Sequence, residues 1–360
     1  MNEPPGPLPT PMPTPLAMPL ADWPEIVTVH GFPRWKWRYV RRCLPGRQLR
    51  FVGACARAPD SGGVLLWGMT PAPAGMRADL PVARLEDGFL RSVGLGAELT
   101  RPLSWVIDRH GLYYDSSRPS GLELLLETCP MSEALRARAA ALRHTVLRAG
   151  LTKYNLAGPQ WRRPPGGRDV VLVPGQVESD ASLAFGAPGL RSNIGLLQAV
   201  RAAKPEAYLV YKPHPDVVAR LRRAGAEEAR AADIADEVIT DAPMHSVLDS
   251  VDEVHVMTSL AGFEALLRGR RVVCHGQPFY AGWGLTEDRL PIARRTRRLS
   301  LDELVAGALI LYPVYIGATS PIAPEDALAE LASWKARDAG TARPFQEIYR
   351  ILLRLFIGVR

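Results

Sequence analysis

Five short stretches of the chain carry residue types that can do chemistry, and each directly follows a short apolar run. Glu86-Asp87-Gly88, with Arg91 four residues past Asp87, sets two carboxylates side by side. Their mutual repulsion can lift one of them toward general-base duty while the guanidinium balances the other. An ordinary acidic turn with a salt bridge would use the same residues. In Gly175-Gln176-Val177-Glu178-Ser179-Asp180 the glycine permits a tight turn, and Asp180 can cap the segment that follows while presenting a carboxylate. Glu178 and Asp180 also form a Glu-x-Asp pair, but no further Asp-x-Asp accompanies it, so no metal is expected. Lys212-Pro213-His214-Pro215 stiffens the backbone on both sides of an imidazole, which suits a rigid cationic phosphate donor as well as a structural histidine. Thr258-Ser259 opens an apolar helical stretch reaching Leu267, with Glu264 one turn inside. Hydroxyls beside unpaired helix-start N–H groups can hold a phosphate, although Ser259 is equally read as a plain N-cap. Finally, Gly276–Gly284 is rich in glycine and aromatics and is expected to be a wall or lid of a cleft.

The elements that position these stretches follow from apolar runs between turn residues. Phe51–Ala56, Val64–Gly68, Val82–Leu85 and Leu103–Ile107 read as strands in the first half. A helix is expected from Pro130 to Arg148, and a cluster of tryptophan, lysine and arginine at 35–42 reads as an early helix on the first domain. In the second half Val170–Val173, Tyr208–Tyr211, Val238–Thr240, Val254–Met257 and Arg271–Cys274 alternate with amphipathic segments, as in a parallel sheet flanked by helices. Gly158–Gly167, with three prolines and three glycines, is the candidate interdomain linker. After Ser300 only helices are expected, the last an amphipathic basic segment at Phe345–Val359 that packs back on the first domain or lies on a membrane surface.

At 360 residues the chain is too long for a single core of about 150 residues. Two Rossmann-like domains facing a cleft are expected: an N-terminal acceptor-side domain at 25–165 and a C-terminal nucleotide-sugar domain at 166–320, with helices over 321–360. Residues 1–24, dense in proline, read as a disordered tail. The hydrophobic share of 47% and charged share of 22% exclude wholesale disorder. The formal charge of +7 favours anionic partners, yet no block is basic enough for a nucleic-acid arm. The 4 cysteines are scattered, which fits a reducing compartment and no zinc or disulfide framework. No apolar run reaches the ~18 residues of a membrane span, and a cytoplasmic location is expected.

Glu86–Gly96, Tyr114–Pro119, Pro174–Asp180, Tyr211–Pro215, Thr258–Glu264 and Pro278–Gly284, taken together and in this order, resemble the capsule polysaccharide biosynthesis family, specifically its KpsC-like β-Kdo transferases. The resemblance implies a GT-B fold, CMP-Kdo as donor and a Kdo-terminated, lipid-linked acceptor. It implies Glu86, beside Asp87, as acid/base and Asp180 as the nucleophile of a retaining double displacement. His214, Thr258 and Ser259 would contact CMP, and Gln176, Lys212, Pro215, Glu264 and Arg91 complete the expected donor-binding set. No cofactor is implied, and contact with the inner membrane face or a capsule-assembly complex would follow from the acceptor. The typical family enzyme has two transferase modules, and this chain resembles one, the carboxy-terminal module. Transfer of another CMP-nonulosonate, such as a sialic acid, and a non-catalytic role in capsule assembly or export are the alternatives.

Overall fold

The computed structural model describes residues 22–339 apart from 54, 95–99 and 226. Most of the proline-rich tail and the segment Phe345–Val359 lie outside the described residues. The end of the tail is packed: Trp23 is buried against Gly63, where a β-carbon would lie 2.7 Å from the indole. That corrects the expected boundary of the tail, because a tryptophan side chain gains more from burial than a proline-rich strand end loses in ordering.

The strands of the first half are β1 (Ile26–His30), β2 (Gln48–Val52), β3 (Gly63–Trp67), β4 (Val82–Asp87) and β5 (Ser104–Asp108). Those of the second are β6 (Val170–Pro174), β7 (Tyr208–Lys212), β8 (Glu237–Val238), β9 (Glu253–Val256), β10 (Arg271–Cys274) and β11 (Glu287–Asp288), and β12 (Pro313–Ile316) and β13 (Pro321–Ile322) follow. The helices between them are α1 (Trp37–Cys43), α2 (Gly121–Thr128), α3 (Glu133–Arg148), α4 (Ala181–Gly186), α5 (Asn193–Ala203), α6 (Pro215–Val218), α7 (Ala231–Ile234), α8 (Met244–Leu248), α9 (Leu260–Leu267), α10 (Leu301–Val305) and α11 (Pro324–Ala339). They assemble into two sheets, ordered β13-β12-β5-β4-β3-β1-β2 and β11-β10-β9-β6-β7-β8. The second is parallel throughout, and its central strand β6, Val-Val-Leu-Val-Pro, is buried along its whole length, as a strand covered on both faces must be. Its order reverses between β6 and β9, the switch point where loops diverge and open a crevice. This is the GT-B arrangement of two sheets that the resemblance implied.

The first sheet departs from a pure Rossmann pattern. β1 to β4 pair in parallel, but β5 returns antiparallel to β4, and among the described residues no crossover helix lies between them. β12 then pairs with β5 and β13 with β12, both antiparallel. The chain after Ser300 is therefore not helical only, and the expected divisions at 320 and 321 do not hold: residues 313–316 and 321–322 belong to the first sheet. A four-residue Pro-Val-Tyr-Ile strand has too short a pattern to show itself, and its ladder is supplied by a partner two hundred positions away. β2 is likewise centred earlier than the apolar run Phe51–Ala56 suggested. As an edge strand it exposes Gln48 and Arg50 on alternate positions, so its first half reads as polar.

The two halves share one core. Phe89, Leu103, Val106 and Leu126 belong to the same apolar cluster as Leu172, Val254 and Val256. Across the lobes the buried Glu123 of α2 receives Arg294 and Arg295, and Arg295 also donates to the carbonyls of Pro278 (2.7 Å) and Ala281 (2.6 Å). The aromatic loop 276–284 is a cleft wall at Pro278 and Phe279, as expected, and core beyond them: Tyr280, Ala281 and Trp283 are fully buried, and the Trp283 indole donates to the Phe279 carbonyl at 2.8 Å. Its glycines serve the turns, Gly282 and Gly284 standing at φ 85° and 81°, while its aromatics face inward. The segment 158–167 is irregular and mostly exposed, and it is held at Trp161, whose indole donates to the Glu237 carboxylate at 3.0 Å. Trp283→Ala should lower stability by about 3–5 kcal/mol in urea unfolding; a loss below about 1 kcal/mol would return the loop to the surface.

Candidate active site

The carboxyl ends of parallel strands from both sheets converge on one cavity of about 1010 Å³. From the first sheet come Lys36, after β1, Trp67 at the end of β3, and Glu86 and Asp87 at the end of β4, followed by Arg91. From the second come Gln176 and Asp180 after β6, Lys212, His214 and Pro215 at and after β7, and Thr258, Ser259 and Glu264 after β9. Every residue of the expected catalytic and donor-binding set therefore lines the same space, whereas Glu178 does not.

Glu86 and Asp87 divide their environments sharply. The Asp87 carboxylate receives Arg91 Nε at 2.6 Å, Trp105 Nε1 at 3.1 Å and Lys36 Nζ at 3.5 Å. Burial alone would push this carboxyl up, but Arg91, Lys36 and Lys153 together hold it well below the usual range. Glu86 accepts from the Asp87 backbone N–H at 2.8 Å and from the Tyr114 hydroxyl at 3.0 Å. Burial first, and then the charge of Asp87, push its carboxyl up. The expected split between the two acids is present, with desolvation rather than mutual repulsion the larger cause. Gly68, at φ 50°, lies beneath this pair, and a β-carbon there would stand 3.1 Å from Glu86 Oε2.

Opposite them, Asp180 caps α4 by accepting from the Ser182 N–H at 2.8 Å and remains exposed. Glu178 turns away to accept from the Asn193 N–H at 2.8 Å, at the start of α5, so the Glu-x-Asp pair is split between two helices. Among the described residues no three His, Cys, Asp or Glu side chains form a group able to hold a metal ion. Gln176 and Thr258 clamp each other, the amide donating to Oγ1 and accepting from the Thr258 N–H, both at 2.9 Å. Ser259 Oγ caps α9 by accepting from the Ala261 N–H at 3.3 Å, which leaves its own O–H to donate. Capping and ligand contact are thus compatible there. Glu264 is buried, accepts from the Lys153 backbone N–H at 2.7 Å, and is pushed up to about 7 by burial.

His214 differs from the cationic donor expected. Its Nδ1 accepts from the Asp216 N–H at 3.1 Å, capping α6, so the ring proton sits on Nε2. Burial, and then Lys153, push the imidazole down to about 3, and the ring donates as a neutral group. Pro213 and Pro215 fix its backbone, and Gly175 admits the close approach of the two loops: a β-carbon there would lie 2.6 Å from the Tyr211 hydroxyl and 3.2 Å from the His214 nitrogen. Lys212 is buried, and burial pulls it down to about 8.

Three participants were not singled out beforehand. Lys36 is buried beneath the Trp67 ring, 3.2 Å from its centroid. Its only signal was the aromatic and basic cluster around it. Tyr114 lay inside a quoted motif without a role. Lys153 sits in an irregular segment whose backbone joins the lobes, accepting from Ser92 N–H and donating to Glu264, and its position had no periodic signal at all.

The model of the family described as capsule polysaccharide biosynthesis protein matches residues 63–157 and 160–316. The capsule polysaccharide modification protein LipA of Neisseria meningitidis is 43% identical over 281 residues, 76% of this chain and 40% of that protein. The lipopolysaccharide-processing protein LpsZ of Rhizobium meliloti is 41% identical over 322 residues, 86% of this chain and 72% of its own. The chain thus spans about two fifths of the meningococcal relatives it matches. Among solved structures, the Thermosulfurimonas dismutans KpsC β-Kdo 2,7 transferase superposes with a TM-score of 0.73 at 37% identity, covering 86% of this chain and 99% of that one. The β-Kdo 2,4 transferase of the same KpsC gives 0.72 at 31% identity, covering 85% and 98%.

Two titrations follow from the geometry. The His214 side chain should show an Nε2–H, Nδ1-acceptor tautomer by ¹⁵N NMR and no midpoint near 6.5. Because its pKa is depressed on folding, the stability it contributes is complete above about pH 6.5 and falls, by at most about 1.4 kcal/mol per pH unit, as pH drops toward 3. A normal midpoint would refute the assignment. Asp87→Asn removes the neighbouring charge and should lower the Glu86 pKa in carboxyl ¹³C spectra; an unchanged or higher value would show that the two acids are not electrostatically linked.

Proposed function

This chain belongs to the capsule polysaccharide biosynthesis protein family, and we propose that it is a retaining β-Kdo transferase that uses CMP-Kdo. The single observation that carries the reading is the meeting of Glu86, from the first sheet, and Asp180, from the second, in one cavity that also holds His214 and the start of α9. The activities of the two similar KpsC structures, β-Kdo 2,7 and 2,4 transfer, support the choice of sugar.

In this reading a single phosphate needs few partners. The His214 Nε2–H, the Thr258 and Ser259 hydroxyls, the start of α9 and Lys212 stabilise departing CMP without a metal bridging two phosphates. As the anomeric carbon–phosphate bond breaks, the Asp180 carboxylate attacks that carbon and forms a ketosyl ester. Glu86 then takes the proton of the acceptor hydroxyl, the acceptor oxygen displaces Asp180, and the second inversion restores the original configuration. A carboxyl lifted by burial is suited to that proton, and Asp87, held ionised, keeps it lifted. The acceptor in this reading is a Kdo-terminated glycolipid, and membership of the family supports a product in a capsule or surface polysaccharide linker.

Asp180→Asn preserves the cap of α4 while removing the nucleophile. Transfer from CMP-Kdo to a synthetic Kdo-terminated acceptor should fall by roughly a thousandfold or more with CMP binding retained, and NMR of the wild-type product should show β linkage. Wild-type turnover in Asp180→Asn would end the covalent scheme. Stronger use of CMP-Neu5Ac than of CMP-Kdo in a donor competition would replace the sugar assignment.

A further inference from the structure

Between Glu25 and Asp60 the chain contains no acidic residue, but it contains Arg34, Lys36, Arg38, Arg41, Arg42, Arg47, Arg50 and Arg57. Lys36 turns inward to Asp87. Arg34, Arg38, Arg41 and Arg50 are exposed, and none of them has a carboxylate within ion-pair distance among the described residues. Elsewhere in the molecule arginines are commonly paired, as in Arg101–Glu330, Arg138–Glu325, Arg163–Asp252 and Arg201–Asp236. The uncompensated charge is concentrated on α1 and the edge strand β2.

Aromatic rings join these charges into one surface. Trp37 stacks on Phe51 with centroids 4.7 Å apart, and the Arg41 guanidinium lies 4.6 Å from the same Phe51 ring. Arg38 donates to the Tyr39 hydroxyl at 2.6 Å and lies over its ring, and Trp35 meets Tyr39 edge-on. Trp35 and Trp37 are half-buried, with their inner edges in the protein. The surface runs directly into the site, because Pro33 and Trp35 line the cavity that holds Glu86.

We propose that the outer face of α1 and β2 seats the protein on an anionic lipid bilayer, with the rim of the cavity turned toward the headgroups. Guanidinium groups without a carboxylate partner and half-buried tryptophans are the two components of an interfacial anchor: the first meets lipid phosphates, the second the headgroup level. A polyanionic glycan would match the charge and its sugar rings could stack on tryptophan, so it is the competing occupant that the vesicle test below separates. The inference rests on the transferase reading only for its purpose, since it is the lipid-linked acceptor that makes the seating useful.

The test uses the full chain and two variants carrying equal charge loss. Arg34→Gln/Arg38→Gln/Arg41→Gln empties the surface, whereas Arg162→Gln/Arg223→Gln/Arg298→Gln removes three exposed arginines elsewhere. Co-sedimentation is measured with phosphatidylcholine vesicles with and without 30% phosphatidylglycerol, from low to high salt. At roughly fivefold per arginine at an anionic surface, the first variant should bind phosphatidylglycerol vesicles about a hundredfold more weakly, the second within a few fold of wild type. Equal losses in both, no preference for the anionic vesicles, or binding of a soluble polyanionic glycan by the same arginines without vesicle binding would overturn the proposal. Both variants should release CMP from CMP-Kdo at the wild-type rate with a short soluble acceptor. Loss of vesicle binding with that activity intact separates the surface from the site, and vesicle binding without any CMP release would leave the surface standing and the transferase reading fallen.

Discussion

The Asp87 carboxylate is the charge around which the site is arranged. It is buried, and an isolated carboxylate there would take up a proton rather than stay ionised. Arg91 four residues on, Lys36 from the turn after β1 and the Trp105 indole from β5 bring donors from three separate elements onto its two oxygens. The ionised Asp87 then acts on Glu86 next to it, whose burial already disfavours a charge. One adjacent pair of acids thus acquires two protonation behaviours, and the difference is maintained by the packing of the first sheet.

That packing is continuous with the second sheet. A shared apolar core, the Glu123 contacts to Arg294 and Arg295, and the segment around Lys153 tie the lobes together, so the two carboxyl edges face each other across a defined gap. The loops at the carboxyl edge of the second sheet are also held in place. Gln176 and Thr258 fix one another across the switch point, and His214, Asp180 and Ser259 each cap the helix they precede. Capping is therefore what orients these side chains, and it leaves free the particular atoms that face the cavity.

Legibility in the sequence varied with the range of the interaction. Glu86, Asp180, His214 and Ser259 were legible because each follows an apolar strand and precedes a turn, and both signals are local. The parallel second sheet was legible for the same reason. β12 was not, since its four residues owe their strand conformation to β5, and the loop 276–284 was legible only as a cleft wall, because glycine content marks turns without revealing that Tyr280 and Trp283 between them are core. Lys36 and Lys153 lacked a signal because their significance is a distance to Asp87, which no spacing expresses.

By itself the amino-acid sequence determined the strand ends, the caps, the turn glycines and the order of six motifs that mark the family, all consequences of backbone chemistry within a few residues. Only the tertiary structure decided which carboxylate is held ionised, that the His214 ring is neutral, that β12 and β13 return to the first sheet, and that the exposed arginines of α1 and β2 meet no carboxylate among the described residues. Those outcomes depend on desolvation and on charges brought together from distant positions, and both exist only once the chain has folded.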